Sequence, residues 1–344
     1  MGVNLSELVD KEEISLEFLA GKKVGIDSYN MLYQFLASIR GPDGMPLADS
    51  HGNVTSHLTG LYYRTLNLLE KGIKPIYVFD GKPSTLKSET LKKRREVRTD
   101  AEAKSSTALK EGNLADAQKF GSRALRLTPD MVGEAKDLLR CMGVPVIEAP
   151  QEGEAQASVM SNKGQIFGAV SQDFDCLLFG ANNLFRNIGI TGKRKVAGKN
   201  FYVDVKPEYI QSEKVFAKLG IDRKKLIWLG ILVGTDFNEK FPRIGPKTAL
   251  KLVQQHNSFE EIIKETKHEP DFDYRDVEEL FTNPVSIEVP ESDLELKSPD
   301  KEKIIKFLVE KHDFSLDRVE STIGAFLKKK EESEKQKSLG AWFG

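Results

Sequence analysis

The stretch FGAVSQDFDCLLFG, residues 167–180, reads as a buried apolar strand that runs into two acids two residues apart, Asp173 and Asp175. One acid at a strand end can cap the next helix. Two on one short turn repel each other unless a cation or solvent intervenes. The pattern recurs along the first half of the chain. KKVGID (22–27) ends in Asp27, KPIYVFD (74–80) ends in Asp80, and VPVIEAPQEGEA (144–155) carries Glu152 and Glu154 just past its strand. Between them YNMLYQFLASIR (29–40) and VTSHLTGLYYRTLNLLEKG (54–72) have helical spacing, with Leu32, Phe35, Leu36 and Ile39 on one face. Strands alternating with helices predict an α/β fold, a central, mostly parallel twisted sheet flanked by helices.

In such a sheet the carboxyl ends of the strands form the ligand crevice. Acids from separate parts of the chain would meet there, and Asp236, in GTDFNE (234–239), is a seventh candidate. Any single acid could be a helix cap, but an acid at every predicted strand end is poorly explained that way. PDFDYRD (270–276) is an internal control: Asp271 and Asp273 repeat the Asp-Phe-Asp spacing after a polar stretch with no strand before it, and they read as surface loop.

The cations implied are hard ones. Five scattered histidines and two distant cysteines, Cys141 and Cys176, supply no zinc-type cluster, so oxygen ligands point to Mg²⁺ or Mn²⁺. Crowded carboxylates suit two divalent ions about 4 Å apart acting on a phosphodiester. Glycoside hydrolysis needs only two acids, and seven are too many for it. The cysteine count also excludes a disulfide framework, and no apolar run reaches transmembrane length. The formal net charge of −1 does not by itself announce a nucleic-acid partner, so the distribution of charge matters more than its sum.

Residues 86–126 are rich in charge and helix formers and poor in large apolar side chains, which predicts a helical segment projecting from the core. Lys87, Arg94 and Arg98 fall at intervals of seven and four, on one helical face close after Asp80. A cationic helix beside an anionic site fits a phosphate-backbone substrate, with Lys87 and Arg94 placed to stabilise charge on the scissile phosphate. DRKKLIWLGILVG (222–234) reads as an apolar helix capped by Asp222, and after FYVDV (201–205) the chain reads as mainly helical. In RIGPKTA (243–249), Gly245 and Lys247 sit at a turn before a helix, where backbone amides can grip a phosphate. From about residue 328, KKKEESEKQK lacks apolar periodicity and predicts a flexible tail. That tail ends in QKSLGAWFG, whose Gln336, Leu339, Trp342 and Phe343 form a docking peptide.

At these residues the chain resembles the flap endonuclease family, structure-specific 5′ nucleases of replication and repair. TSHLTGLYYRTLNLLEKGIKPIYVFDGKPSTLKSETLKKR, EAPQEGEAQAS, SQDFDCLLFG and GTDF are similar to that family's segments, in its order, and span nearly the whole chain. The resemblance implies metal ligation, direct or through water, by Asp27, Asp80, Glu152, Glu154, Asp173, Asp175 and Asp236. It implies catalytic roles for Lys87 and Arg94 at the base of a helical arch (about 86–126) threaded by a 5′ single strand. Tyr33 matches a tyrosine that stacks on a base near the cleaved bond. Gly2 matches an N-terminal glycine near the active site, and Arg98 adds a substrate contact.

The element at about 222–256 matches the family's helix–turn–helix contact with duplex backbone, often with a bound K⁺. The family commonly has Gly-Ile-Gly there. This chain has Arg243-Ile244-Gly245, whose first side chain bears on the turn and adds a phosphate contact. The terminal peptide matches a sliding-clamp-binding motif, and its early stop resembles archaeal members. The expected protein is an intracellular monomer, cytoplasmic or nucleoid-associated if archaeal and nuclear otherwise. It has one nuclease domain (1–327) and a flexible tail (328–344). The expected activity is two-metal flap endonuclease action with 5′–3′ exonuclease action, on branched DNA and beside a sliding clamp. The rival readings are a catalytically silent junction-binding clamp adaptor, which would bind without cleaving, and an Asp-dependent phosphatase, which would turn over small phosphate esters.

Overall fold

The structure is a computed structural model that describes residues 2–41, 45–189, 193–195 and 202–340. Its centre is a seven-stranded sheet. In chain order the strands are β1 (Glu12–Glu13), β2 (Lys23–Asp27), β3 (Lys74–Phe79), β4 (Val146–Glu148), β5 (Gly168–Val170), β6 (Asn183–Arg186) and, after a separate ribbon of β7 (Lys193–Lys195) and β8 (Tyr202–Asp204), β9 (Glu208–Gln211). The order across the sheet is β1-β9-β6-β5-β2-β3-β4. Strands β2 to β6 run parallel, while β9 is antiparallel to both β6 and β1. The expected sheet is therefore present, with β2 at the point where the chain steps first one way, to β3 and β4, and then the other, to β5 and β6. The crevice beyond such a switch point is where α/β sheets bind ligands.

Helices cover both faces. Helices α1 (Ser28–Ser38), α2 (Ser56–Glu70), α3 (Ser88–Lys110), α4 (Leu114–Arg123), α5 (Pro129–Cys141), α6 (Gly153–Asn162) and α7 (Asp175–Leu178) alternate with the strands. Then follow α8 (Ser212–Leu219), α9 (Arg223–Val233), α10 (Pro246–Gln255), α11 (Phe259–Thr266), α12 (Tyr274–Thr282), α13 (Lys301–Ile305), a π-helical turn at 306–310, and α14 (Leu316–Gly340). The period-two alternation of the strands divides the core. Val24, Ile26, Tyr77, Phe79, Val170 and Phe185 pack with α1, α2, α5 and α14 on one face. Ile76, Val78, Ile147, Ala169 and Leu184 pack with α6, α7 and α9 to α12 on the other. Each fully buried aliphatic side chain contributes ~1.5–3 kcal/mol, so the strands are held by both layers.

The structure adds detail to three expectations. The chain after 201–205 is mainly helical, as expected, with one exception: β9 follows and joins the main sheet. In the segment from 328, α14 continues to Gly340, carrying the backbone of Gln336 and Leu339. Its apolar first half is anchored by Val319 and Ile323, and Lys, Glu and Gln are good helix formers that propagate a helix already nucleated. Glu331 and Lys335 also stand four residues apart in the favourable order. Trp342 and Phe343 lie outside the described residues. Finally, the segment 86–126 is helical, as expected, and folds as a hairpin of α3 and α4 with a small interface of its own. Ala101, Ala108 and Ala117 are buried between α3 and α4, Ser105 Oγ donates to Ala117 O at 2.9 Å, and Val97 is exposed.

Candidate active site

The parallel strands deliver the acids to one edge. Asp27 is the last residue of β2 and 6% exposed, and its Oδ1 accepts from Asn30 N at 3.0 Å, opening α1. Asp80 follows β3 on the adjacent strand, and its Oδ1 accepts from Gly153 N at 2.7 Å, which joins it to the start of α6. A Cβ on Gly153 would stand 2.9 Å from that same oxygen, so the approach requires glycine. Glu152 occupies the N-cap position of α6 yet makes no capping bond. It instead takes a charged hydrogen bond from Lys87 Nζ at 2.5 Å. Glu154, in the first turn of α6, accepts from Ser171 Oγ at 2.6 Å.

Asp173 lies on the turn after β5, within 3.4 Å of Asn30 Nδ2. Asp175 starts α7, is 2% exposed, and accepts from Val3 N at 2.7 Å. Gly2 packs on that carboxylate, since a Cβ there would meet Asp175 Oδ2 at 2.6 Å. Asp236 follows α9, and both its oxygens accept from Arg94 Nη2, at 2.6 and 2.7 Å, with Lys87 Nζ 3.7 Å away.

The electrostatics tie these residues into one group. Burial, followed by the charges of Asp27 and Glu152, raises the Asp80 carboxyl to about 7. Burial raises Asp27 to about 6 and, with the charges of Asp236 and Asp173, raises Asp175 to about 7. Glu154 is pushed well above the usual carboxylate range by burial and by Asp27, Asp173 and Asp175. Burial works against the charge of Lys87, but Glu152, Asp236 and Asp80 outweigh it and hold the ammonium protonated. Burial likewise opposes ionisation of Asp236, and Arg94 and Lys87 help to hold it lowered.

A set of buried carboxylates raised by one another lacks positive charge, and its all-oxygen chemistry fits Mg²⁺ or Mn²⁺. Among the described residues no three acids close on one point to cage an ion without help, and the Lys87 ammonium and Arg94 guanidinium stand among them. Ligation would therefore enlist water, which Mg²⁺ ordinarily retains.

Comparison with known proteins accords with this geometry. A model of the XPG N-terminal domain matches residues 1–101, and one of the XPG I-region matches residues 143–236. All seven acids fall inside those two spans. Flap endonuclease 1 of Thermococcus onnurineus is 49% identical over 345 residues, covering 100% of this chain and 99% of that protein. The chain belongs to the flap endonuclease family. Flap endonuclease 1 of Nitrosopumilus maritimus is 45% identical over the full length of both chains. The solved flap endonuclease-1 from Methanococcus jannaschii superposes with a TM-score of 0.75 at 40% identity, over 96% of this chain and all of that one. This flap endonuclease is a structure-specific nuclease that hydrolyses DNA in replication and repair.

The remaining expected site residues divide into two places. Arg98 lies with its guanidinium 5.5 Å over the ring of Tyr33, so these two meet at the foot of the α3–α4 hairpin. Lys93, one residue before Arg94, pairs with Glu239 and adds a further tie between that foot and the segment after α9. Arg243 and Gly245 form a separate exposed turn before α10, whose N-cap is Gly245, and Lys247 follows, exposed in the first turn of that helix. Arg243 adopts φ +61, the left-handed conformation a glycine takes freely. The flap endonuclease thus keeps the turn despite the added side chain, at a strain of ~1 kcal/mol.

Reading the sequence for acids and cations missed Ser171, Asn30 and Arg186. Arg186 donates to Gln172 O at 3.1 Å and covers Phe174 at 4.5 Å, pinning the turn that carries Asp173 and Asp175. Neutral or distant partners like these have no spacing signature. Among the described residues, no helix of the flap endonuclease is long and apolar enough to cross a membrane.

Proposed function

We propose that the acidic edge is a two-cation phosphodiesterase site acting near the junction of a 5′ flap with duplex DNA, releasing a 5′-phosphate product. The observation that carries this reading is the convergence of seven acids from five segments with Lys87 and Arg94 laid directly onto them. Asp27, Asp80, Glu152, Glu154, Asp173, Asp175 and Asp236 would hold two Mg²⁺, or Mn²⁺ in their place, partly through water. Bound there, such ions lower the pKa of an attacking water and neutralise the attacking and leaving oxygens.

Lys87 and Arg94 exchange their carboxylate partners for the scissile phosphate, which is the position charge stabilisation requires. Tyr33 offers a face for a base beside the cleaved bond, with Arg98 moving from its ring to the backbone. The α3–α4 hairpin forms the arch around the 5′ strand, and Gly2 leaves room against Asp175. Arg243, Gly245 and Lys247 hold the duplex backbone, where the retained turn is also compatible with K⁺. Gln336, Leu339, Trp342 and Phe343 dock on a sliding clamp, the chain acting as a monomer with 5′–3′ exonuclease action as a second outlet.

The test is cleavage of an end-labelled duplex carrying a 5′ single-stranded flap, with Mg²⁺ and with chelator, beside a matched 3′ flap. Metal-dependent incision at the 5′-flap junction alone is the expected result. Incision that persists in chelator, or that ignores flap polarity, overturns the proposal, and tight binding without incision points to an adaptor.

A further inference from the structure

Two carboxylates of the acidic edge, from separate segments, share one neutral hydroxyl, which also takes the backbone N–H of Asp173. Ser171 is 3% exposed, immediately after β5. Its Oγ lies 2.6 Å from Glu154 Oε1 in α6 and 3.2 Å from Asp27 Oδ2 at the end of β2, and it accepts from Asp173 N at 3.2 Å. A hydroxyl has one proton to give, so it favours the nearer Glu154 while its lone pair fixes the turn of Asp173. Asn30 performs the matching task from the opposite side. Its backbone N–H donates to Asp27 Oδ1 at 3.0 Å, and its Nδ2 reaches Asp173 Oδ2 at 3.4 Å. Gln34 Nε2 donates to Asn30 Oδ1 at 2.6 Å, so the carboxamide oxygen is already engaged and its NH₂ group is left to face Asp173.

We propose that Ser171 and Asn30 are positioning residues, which hold Asp27, Glu154 and Asp173 at fixed spacing so that divalent cations meet a preset arrangement. The inference rests on the metal-binding reading of those acids. Like charges pushed together by the sheet would otherwise swing apart or trap protons. Neutral donors oppose both without adding a positive charge that would compete with the cation for the carboxylates. Hydrogen-bond partners behind metal ligands characteristically set affinity, and losing one weakens it ~10–100-fold.

The test compares full-length wild type with Ser171→Ala, Ser171→Thr and Asn30→Ala. Mn²⁺ binding is measured calorimetrically without DNA, and the Mg²⁺ midpoint is measured for 5′-flap cleavage. Ser171→Ala and Asn30→Ala should each weaken Mn²⁺ by about 10-fold and move the Mg²⁺ midpoint to match. Cleavage at saturating Mg²⁺ and flap binding in chelator should stay near wild type, and Ser171→Thr should restore the midpoint. Asn30→Ala, at a half-buried site, keeps the test decisive if Ser171→Ala does not fold. Unchanged Mn²⁺ affinity in folded variants overturns the positioning role, as does a rate that stays low at saturating Mg²⁺. Wild type that takes up no Mn²⁺ refutes instead the metal-binding reading on which the inference rests.

Discussion

Asp-Phe-Asp occurs twice in this chain, at 173–175 and at 271–273, and the two copies have opposite fates. In the first, Phe174 is buried beneath Arg186 and the flanking acids sit at the end of β5, with Asp175 2% exposed. In the second, Asp271 and Asp273 are both exposed, and Asp273 caps α12 by accepting from Arg275 N at 2.9 Å. Phe272 anchors that loop against Phe241 at 6.4 Å. The tripeptide is the same, but what precedes it differs. A strand buried on both faces forces its terminal carboxylates into the crevice beside other strand ends, whereas a polar loop leaves them in water. Only the first environment crowds buried carboxylates together and gives a cation something to neutralise.

That contrast can be broken in several ways. The largest effect expected is on turnover: Asp175→Ala should lower 5′-flap cleavage by ~10³-fold or more, about 4 kcal/mol in the barrier. Asp271→Ala should leave cleavage unchanged, and equal losses in single-turnover assays would abolish the distinction. Next, Lys87→Ala and Arg94→Ala should each cost ~10²–10³-fold in the cleavage step, read under the same conditions with flap affinity measured separately. Third, Mg²⁺ or Mn²⁺ at a hundredfold excess over its dissociation constant should stabilise the wild type by ~2.7 kcal/mol, seen as a higher Tm. Asp175→Ala should blunt that rise and Asp271→Ala should not.

The pH profile separates the two copies further. Asp175 is raised from 3.8 to about 7 in the fold, so its ionisation opposes folding. Favourable protonation is fully present below pH 3.8 and is lost as pH climbs to about 7. In chelator, Asp175→Asn should therefore match wild type near the low end, gain in Tm as pH rises, and level off above pH 7. A flat difference across that window would contradict the burial argument. The smallest effect concerns the loop copy. Asp273→Ala should cost ~1 kcal/mol as a lost helix cap, with no change in cleavage.

The sequence alone was enough to place the acids at strand ends, because a buried strand has a recognisable apolar run and a carboxylate after it stands out. It also placed Lys87 and Arg94 on one face, since helical spacing is local arithmetic. The tertiary structure decided everything that depends on distance across the chain. The two- to four-residue strands β1, β6 and β9 carry too little pattern to be read, and they exist because neighbours supply their hydrogen bonds. The helix through residues 328–340 needed the anchored turns before it, since propagation depends on a nucleus that the charged segment lacks by itself. At residue 243, the sequence revealed a missing glycine but not that arginine would accept the left-handed conformation. Ser171 and Asn30 look unremarkable in the chain. They become parts of the site only when the sheet brings β2, α6 and the turn after β5 within hydrogen-bonding reach, because a neutral side chain gains its role from the charges folded around it.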